Sequence, residues 1–109
     1  MNKIDELNIE DLRVFCRDNK IKWTIHALKR IRERKILPDT VIDAVLSGNI
    51  VEQYKNDKYY PSCLIFNEDY TEPLHAVVST DNVNISIITA YVPTPDDWES
   101  DFKTRKENE

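Results

Sequence analysis

Residues 24–50, TIHALKRIRERKILPDTVIDAVLSGNI, carry the clearest helix signals of the chain. Thr24 is a good N-cap residue, and the apolar side chains that follow it recur at every third position. This spacing predicts a helix over residues 25–34 with one buried stripe, because positions three and four apart are neighbours on a helix surface. The members of the predicted stripe are Ile25, Leu28 and Ile31.

A second helix is predicted directly after the first. Pro38 is favoured in the first turn of a helix, and Gly48 is a typical residue at a helix end. The short connection between the two helices favours a helical hairpin. Upstream, apolar residues spaced by two to four positions predict another helix over residues 5–18, with Asp5 or Asn8 as its cap.

After these helices the apolar spacing becomes that of short strands. The predicted strands, which short polar turns connect into an antiparallel meander, cover residues 50–55, 62–67, 74–80 and 84–92. Trp98 and Phe102, four positions apart, favour a short C-terminal helix over residues 96–105. The predicted fold is therefore α+β, with N-terminal helices packed on a four-stranded antiparallel sheet.

Composition and charge restrict the possible partners. The 109 residues suffice for one core, and 40% of them are hydrophobic. No apolar run approaches the roughly 20 residues of a membrane helix, and the acidic N-terminus lacks the apolar block of a secretory signal, so we expect a cytoplasmic protein without a membrane partner. Residues 20–35 carry +6 of a net charge of −5, which leaves −11 for the rest. This contrast indicates a basic working surface on an acidic body.

Residue counts argue against several classes of site. The chain has one glycine, whereas phosphate-binding loops and dinucleotide-binding turns need several. No cysteine or histidine pair has metal-ligand spacing, so neither a metal nor another cofactor is expected. Cys16 and Cys63 are expected to be buried as small hydrophobic residues, because distant thiols rarely pair in a reducing compartment.

The helix over residues 25–34 carries the first set of candidate residues. Arginines one turn apart present planar, permanently charged donors that suit phosphate oxygens, and His26 beside them is a candidate general base. Two plainer interpretations stay open: the basic residues form an ordinary solvated face, or His26 only packs against or caps the helix start. The predicted polar face comprises His26, Lys29, Arg30, Glu33 and Arg34.

The strands carry the second set. His75 lies in the third predicted strand, and the following turn is expected to place it opposite residue 88 or 89. Thr89 and Tyr91 share a face of the fourth strand, so the predicted site lies between these two strands unless the register shifts by one residue. The alternative for His75 is a buried histidine with satisfied hydrogen bonds. Tyr54 is a candidate for base stacking, or only covers the core.

With these residues in place, the chain resembles a bacterial family known as domain of unknown function 4258. The resemblance depends mainly on an H-A-x-x-R-x-x-E-R motif that begins at His26 and a T-x-Y-x-P motif that begins at Thr89. Further matching positions are Ile36, Val41, Gly48, Asn49, Ile50, Tyr54, Pro61, Pro73, Leu74, His75 and Trp98. The family looks related to the RelE/ParE-like toxins of bacterial toxin–antitoxin systems, whose fold packs two helices against an antiparallel sheet.

The resemblance implies a RelE-like core over residues 23–98, with an N-terminal helical extension (1–22) and a tail (99–109), all in a single domain. It also implies a toxin-like endoribonuclease that cleaves RNA, either free or bound to the ribosome. A cognate antitoxin protein is then the expected partner.

Cleavage of this kind needs no cofactor if the ribose 2′-hydroxyl attacks its own phosphodiester. One histidine, His75 more than His26, is expected to take or donate a proton, while Arg30 and Arg34 stabilise the charge of the transition state. Tyr91 is expected to donate to a phosphate oxygen or to stack on a base. The residues expected to hold the RNA are Lys29, Arg32, Lys35, Tyr54 and Thr89.

The alternative hypothesis is a non-enzymatic binding module. In that case the basic helix receives an acidic segment of a partner protein, or the domain inhibits a nucleic-acid enzyme. Arginine-rich faces bind anionic peptides as well as phosphates, so the helix alone does not separate the two hypotheses.

Overall fold

Apart from one short strand at Ile21–Trp23, helices come first and strands afterwards, as predicted. A computed structural model describes residues 6–55, 60–67 and 73–106. Within these residues the helices are α1 (Ile9–Arg17), α2 (Ile25–Glu33) and α3 (Pro38–Ser47). The strands are β1 (Ile21–Trp23), β2 (Asn49–Tyr54), β3 (Ser62–Asn67), β4 (Leu74–Thr80) and β5 (Ile85–Tyr91). The α+β class is confirmed. The turn predicted at 56–57, and residues 68–72 of the turn predicted at 68–73, lie outside the described residues.

The sheet has five strands in the order β1-β5-β4-β3-β2, not the four predicted. Strands β2 to β5 form the expected antiparallel meander. The additional strand, β1, runs parallel to β5 and ends where Trp23 pairs with Ile87. Three residues are too few to show a strand period, so the sequence pattern gives no sign of β1. The prediction of a purely antiparallel sheet is therefore wrong, and β1 covers only the first half of β5.

The helix ends follow the predicted capping chemistry. The Asn8 side chain accepts a hydrogen bond from the backbone N–H of Glu10 at 2.8 Å, and the Thr24 hydroxyl accepts one from that of Ala27 at 2.9 Å. Each bond satisfies a donor that the first helical turn cannot pair internally. None of the helices in the described ranges has both the length and the apolar content that crossing a bilayer requires.

The apolar stripe predicted on α2 is only partly buried. Ile31 is 3% exposed, but Ile25 is 85% and Leu28 is 45% exposed. The buried residues of α2 are instead Ala27 and Ile31. The helix packs on β5, near the edge of the sheet, so only a narrow face of the helix is covered. Helix α3 packs on α1 and on the centre of the sheet, so the predicted hairpin of α2 and α3 is not observed.

The apolar core lies between the helices and one face of the sheet. Gly48 lies between α3 and β2, and its φ of −88° suits any residue, so its backbone conformation does not require glycine. Glycine is needed because the position has no space for a side chain. A Cβ atom at this position would lie 2.4 Å from the carbonyl oxygen of Ala44 and 2.6 Å from that of Phe66. Fully buried core side chains include Leu12, Val41, Val45, Cys63, Ile65, Val78, Ile85 and Ile87.

Residues 94–106 pack on the opposite face of the sheet, and we call them the C-terminal cover. They do not form the predicted helix, because the Asp101 carboxylate accepts bonds from two backbone N–H groups at 2.9 and 3.0 Å and holds a turn. Trp98 forms a β-bridge with Arg105 and is 2% exposed. Burying this large ring on the sheet outweighs the weak helix preference of the segment.

Candidate functional site

The candidate site begins with three exposed side chains along one side of α2. His26, Arg30 and Arg34 are four positions apart and therefore form a line, which we call the α2 row. At its end, Nη1 of Arg34 donates to the Thr89 hydroxyl at 3.2 Å and to the Ala90 carbonyl oxygen at 2.8 Å. These bonds fix the guanidinium beside β5, at the point where β1 no longer covers that strand.

Both arginines of the α2 row retain donors for an anion. A guanidinium carries five N–H groups, and Arg34 uses two of them on β5. Its Nε and Nη2 have no partner in the ranges that the structure describes. Arg30 forms one ion pair, from Nη1 to Glu33 Oε2 at 3.3 Å, between two largely exposed side chains. Such a surface pair is weak, so a phosphate can compete with it.

A β-bulge in β5 determines which way the strand residues point. Val77 pairs with Thr89 and Val78 with Ile87, which leaves Ile88 as the extra residue. Because of this insertion, Ile87 faces the helices while Thr89 and Tyr91 face the opposite side. His75 therefore pairs with Tyr91. The predicted position opposite residue 88 or 89 is wrong, because neither the four-residue connection 81–84 nor the bulge was visible in the apolar spacing.

Tyr91 is connected to His75 by a hydrogen bond. Nε2 of His75 lies 2.7 Å from the Phe102 carbonyl oxygen, and Nδ1 lies 3.3 Å from the Tyr91 hydroxyl. A carbonyl oxygen only accepts, so Nε2 carries the proton of the neutral ring and Nδ1 is the acceptor. The Tyr91 hydroxyl then donates to His75 and is held in place by it.

The His75 ring itself is fully buried. Its exposed fraction is 0%, and aromatic rings surround it on three sides. Burial is the main cause that lowers the pKa of His75 below its usual value, although the Phe102 carbonyl opposes this effect. With the C-terminal cover in place, the His75 ring has no exposed surface, and Tyr91 separates it from solvent. The ring-centroid distances are 5.4 Å to Phe66, 5.3 Å to Tyr91 and 4.4 Å to Trp98.

Tyr91 lies at the boundary between this buried cluster and solvent. Partial burial raises the pKa of its hydroxyl, which the positive charges of Arg105 and Arg34 partly oppose. The hydroxyl is therefore protonated at neutral pH and acts as a hydrogen-bond donor. The structure thus brings together Arg34, Thr89 and Tyr91, with His75 behind Tyr91. His26 lies at the other end of the α2 row, roughly 12 Å along the helix from Arg34.

Tyr54 belongs to a different part of the sheet. Its hydroxyl donates to the Glu52 carboxylate, and burial together with this bond raises the pKa of Tyr54 to about 12. Arg105 donates from Nε to Glu52 Oε2 at 2.9 Å and lies 4.6 Å from the centroid of the Trp98 ring. Strand β2 is three strands from β5, roughly 14 Å at ordinary strand spacing. Glu52 and Arg105 were not predicted, since only tertiary packing joins them.

The remaining predicted cations lie away from the α2 row. Lys29 and Arg32 project from the other side of α2, where they border an apolar groove. Lys35 is exposed beyond the helix end, in a left-handed conformation with φ of 59°. The basic residues of α2 therefore divide between two surfaces of the helix.

The cysteines are buried as predicted and lie outside the site. Burial raises the pKa of Cys16 to about 11 and that of Cys63 to about 12, so both remain thiols at neutral pH. Among the side chains that the structure describes, no group of three or more histidine, cysteine, aspartate or glutamate residues is arranged to hold a metal ion.

Comparison with known proteins identifies one family. Neither a curated protein nor a solved structure matches the chain significantly. The profile described as "Domain of unknown function (DUF4258)" matches residues 23–92. This span is more than half of the chain and includes α2, α3, β2 to β5 and every residue of the α2 row. The chain therefore belongs to the DUF4258 family.

Proposed function

We propose that the chain is a toxin-like endoribonuclease that binds RNA where α2 meets β5 and cleaves it by acid/base transesterification without a metal. The observation that carries this proposal is the position of Arg34, which is fixed by Thr89 and Ala90 and lies on the same strand end as Tyr91. A permanent charge and a neutral hydroxyl then lie at one strand end, and the exposed imidazole of His26 lies at the other end of the α2 row.

The phosphate is held by the arginines in this proposal. The three remaining N–H donors of Arg34 and the guanidinium of Arg30 bind the non-bridging oxygens, because planar donor groups match phosphate geometry. Tyr91 presents its ring for stacking on a base, because its one O–H proton is donated to His75. Thr89 holds Arg34 and does not need to touch the RNA.

The chemistry begins at the ribose. His26 takes the proton of the 2′-hydroxyl, the 2′-oxygen forms a bond to phosphorus, and the bond from phosphorus to the 5′-oxygen breaks. The departing 5′-oxygen takes a proton from water or from protonated His26. The products are a 2′,3′-cyclic phosphate and a 5′-hydroxyl end. Arg30 and Arg34 stabilise the additional negative charge of the pentacovalent transition state.

His75 has a positioning role in this scheme. Its ring is buried and its Nε2 proton is bonded to Phe102, which leaves Nδ1 to orient the Tyr91 hydroxyl. Proton transfer is therefore assigned to His26. Buried between aromatic rings, a charged imidazolium would be costly.

The biological context is also part of the proposal. The RelE/ParE-like relationship is supported by the order of helices followed by an antiparallel meander and by the H-A-x-x-R-x-x-E-R motif at His26. A protein of this type acts on free or ribosome-bound messenger RNA in the cytoplasm. A cognate antitoxin protein then neutralises it.

The test is cleavage of a defined RNA by the purified chain, with and without ribosomes and with EDTA present. We expect cyclic phosphate ends, and no cut where the reactive nucleotide is replaced by its 2′-deoxy form. Arg34→Ala should slow cleavage by about 10²-fold or more, which is the usual loss when one charged stabilising group is removed.

Arg17→Ala is the matched control, because Arg17 is also exposed in the last turn of a helix, α1, but makes no hydrogen bond or ion pair with β5 among the described residues. It should cleave at the wild-type rate. Two results would contradict the proposal: RNA that stays intact under all conditions, and equal rates for the Arg34→Ala and Arg17→Ala variants. RNA that is bound but never cut would contradict the enzymatic part.

A further inference from the structure

We infer that the groove on the other side of α2 docks an acidic, amphipathic segment of a partner protein. This inference goes beyond RNA cleavage, because it concerns residues that the α2 row does not include. The groove has a volume of about 550 Å³ and lies between α2 and the start of α3. Its main lining residues are Ile25, Leu28, Lys29, Arg32, Ile36 and Pro38.

The groove is formed by apolar side chains that the fold leaves uncovered. Ile25 is 85% and Leu28 is 45% exposed. Leu37, which lies in sequence between two lining residues, is 69% exposed. Single exposed apolar residues are ordinary, but a contiguous apolar patch bordered by polar groups is typical of a protein-binding surface. A partner that covers Ile25 and Leu28 would bury the apolar stripe that the regular spacing of α2 predicts.

The charges at the edge of the groove indicate the chemistry of that partner. Lys29 and Arg32 are both exposed, and neither forms an ion pair in the described part of the chain. Arg30, on the other side of the same helix, pairs with Glu33. Two cations beside an apolar surface favour a segment that carries carboxylates next to its apolar side chains.

The shape and chemistry of the lining favour a peptide over RNA. Bases bind by stacking on aromatic rings, and every apolar residue that lines the groove is aliphatic. An aliphatic groove suits the leucine, isoleucine or valine side chains that an amphipathic helix presents at positions i, i+3, i+4 and i+7. A second copy fits less well, since α1 carries as many basic as acidic residues, two of each, and Val14 is its one exposed large apolar residue.

The inference is tested by selecting binders from a phage-displayed library of random 16-residue peptides on the folded chain. We expect enriched peptides with helical apolar spacing and an excess of Asp and Glu. Their affinity should fall at least tenfold for Leu28→Glu and for a Lys29→Glu, Arg32→Glu double variant. Exchanging the acidic residues of a selected peptide for lysine should restore its binding to the double variant.

Val14→Glu is the matched control, because Val14 is 46% exposed on α1 and lies outside the groove. It should leave peptide binding unchanged. Peptides without an acidic excess, peptides insensitive to Leu28→Glu, or a selection that enriches nothing would overturn the inference. So would an RNA oligonucleotide that loses binding in Leu28→Glu, or a wild-type dimer that this substitution dissociates.

The peptide and cleavage experiments fail independently. Leu28→Glu should retain RNA cleavage within about twofold, because Leu28 lies outside the α2 row. Arg34→Ala should retain the affinity for the selected peptides. If the chain cuts no RNA, peptide binding is still measured directly.

Discussion

The two histidines of this chain lie in regions of opposite solvent exposure. His26 lies in the first turn of α2 and is exposed, with arginines four and eight positions further along the helix. His75 lies in the middle of the sheet with no exposed surface, both ring nitrogens bonded and an aromatic ring only 4.4 Å away. Tertiary packing therefore decides whether a histidine can exchange protons with a bound molecule or only supports the structure.

The largest expected effect is on stability. His75→Ala should lower the free energy of unfolding by about 2–4 kcal/mol, because it leaves a cavity among three rings and removes two hydrogen bonds. His26→Ala is the control and should change stability by less than about 0.5 kcal/mol, as expected for an exposed residue. Urea unfolding measures both. Equal losses for the two variants would remove the distinction between the two regions.

A smaller effect should depend on pH. The pKa of His75 is lower in the folded chain than in the unfolded chain. Below about pH 6.5 the unfolded chain therefore binds a proton at His75 that the folded chain does not bind. The contribution of His75 to the free energy of unfolding is fully present above that pH. It decreases as the pH falls towards the lower pKa of the folded state. The loss is about 1.4 kcal/mol for each unit of the pKa difference.

The measurement is urea unfolding at pH 7.5 and pH 5.5 for the wild type and His75→Gln. Glutamine does not titrate, so the variant should lose less stability between the two pH values than the wild type. The same pH dependence in both proteins would show that the His75 ring is not shielded from water.

The smallest effect should come from the exposed side of the C-terminal cover. Arg105→Ala removes an ion pair with Glu52 and the contact with the Trp98 ring. The guanidinium is largely exposed, so the expected loss of stability is only about 0.5–1 kcal/mol. Lys106→Ala, one position further along the chain, is the control for removing a surface cation. A loss as large as that of His75→Ala would mean that Arg105 holds the cover in place.

The sequence predicted those features that depend on local chemistry. Thr24, Pro38 and Gly48 mark helix ends through capping, fixed φ and close packing, and each of these elements is where it was predicted. The four antiparallel strands also follow from their apolar runs. Local rules therefore account for most of the fold.

The features that the sequence did not predict depend on packing between distant segments. Strand β1 exists because β5 is beside it, and the bulge at Ile88 has no marker residue. The position of Trp98 over His75 required the whole sheet to be in place. Accordingly, the α2 row could be predicted from helical spacing, whereas the burial of His75 could not.

The proposed mechanism requires that the reactive imidazole belong to His26. Diethyl pyrocarbonate acylates accessible imidazoles, and peptide mass spectrometry locates the modified ring. In the folded chain we expect His26 to be modified while His75 stays intact, and RNA cleavage to fall in proportion to His26 modification and to return with hydroxylamine. Full modification of His26 with unchanged cleavage, or equally fast modification of His75, would contradict the account.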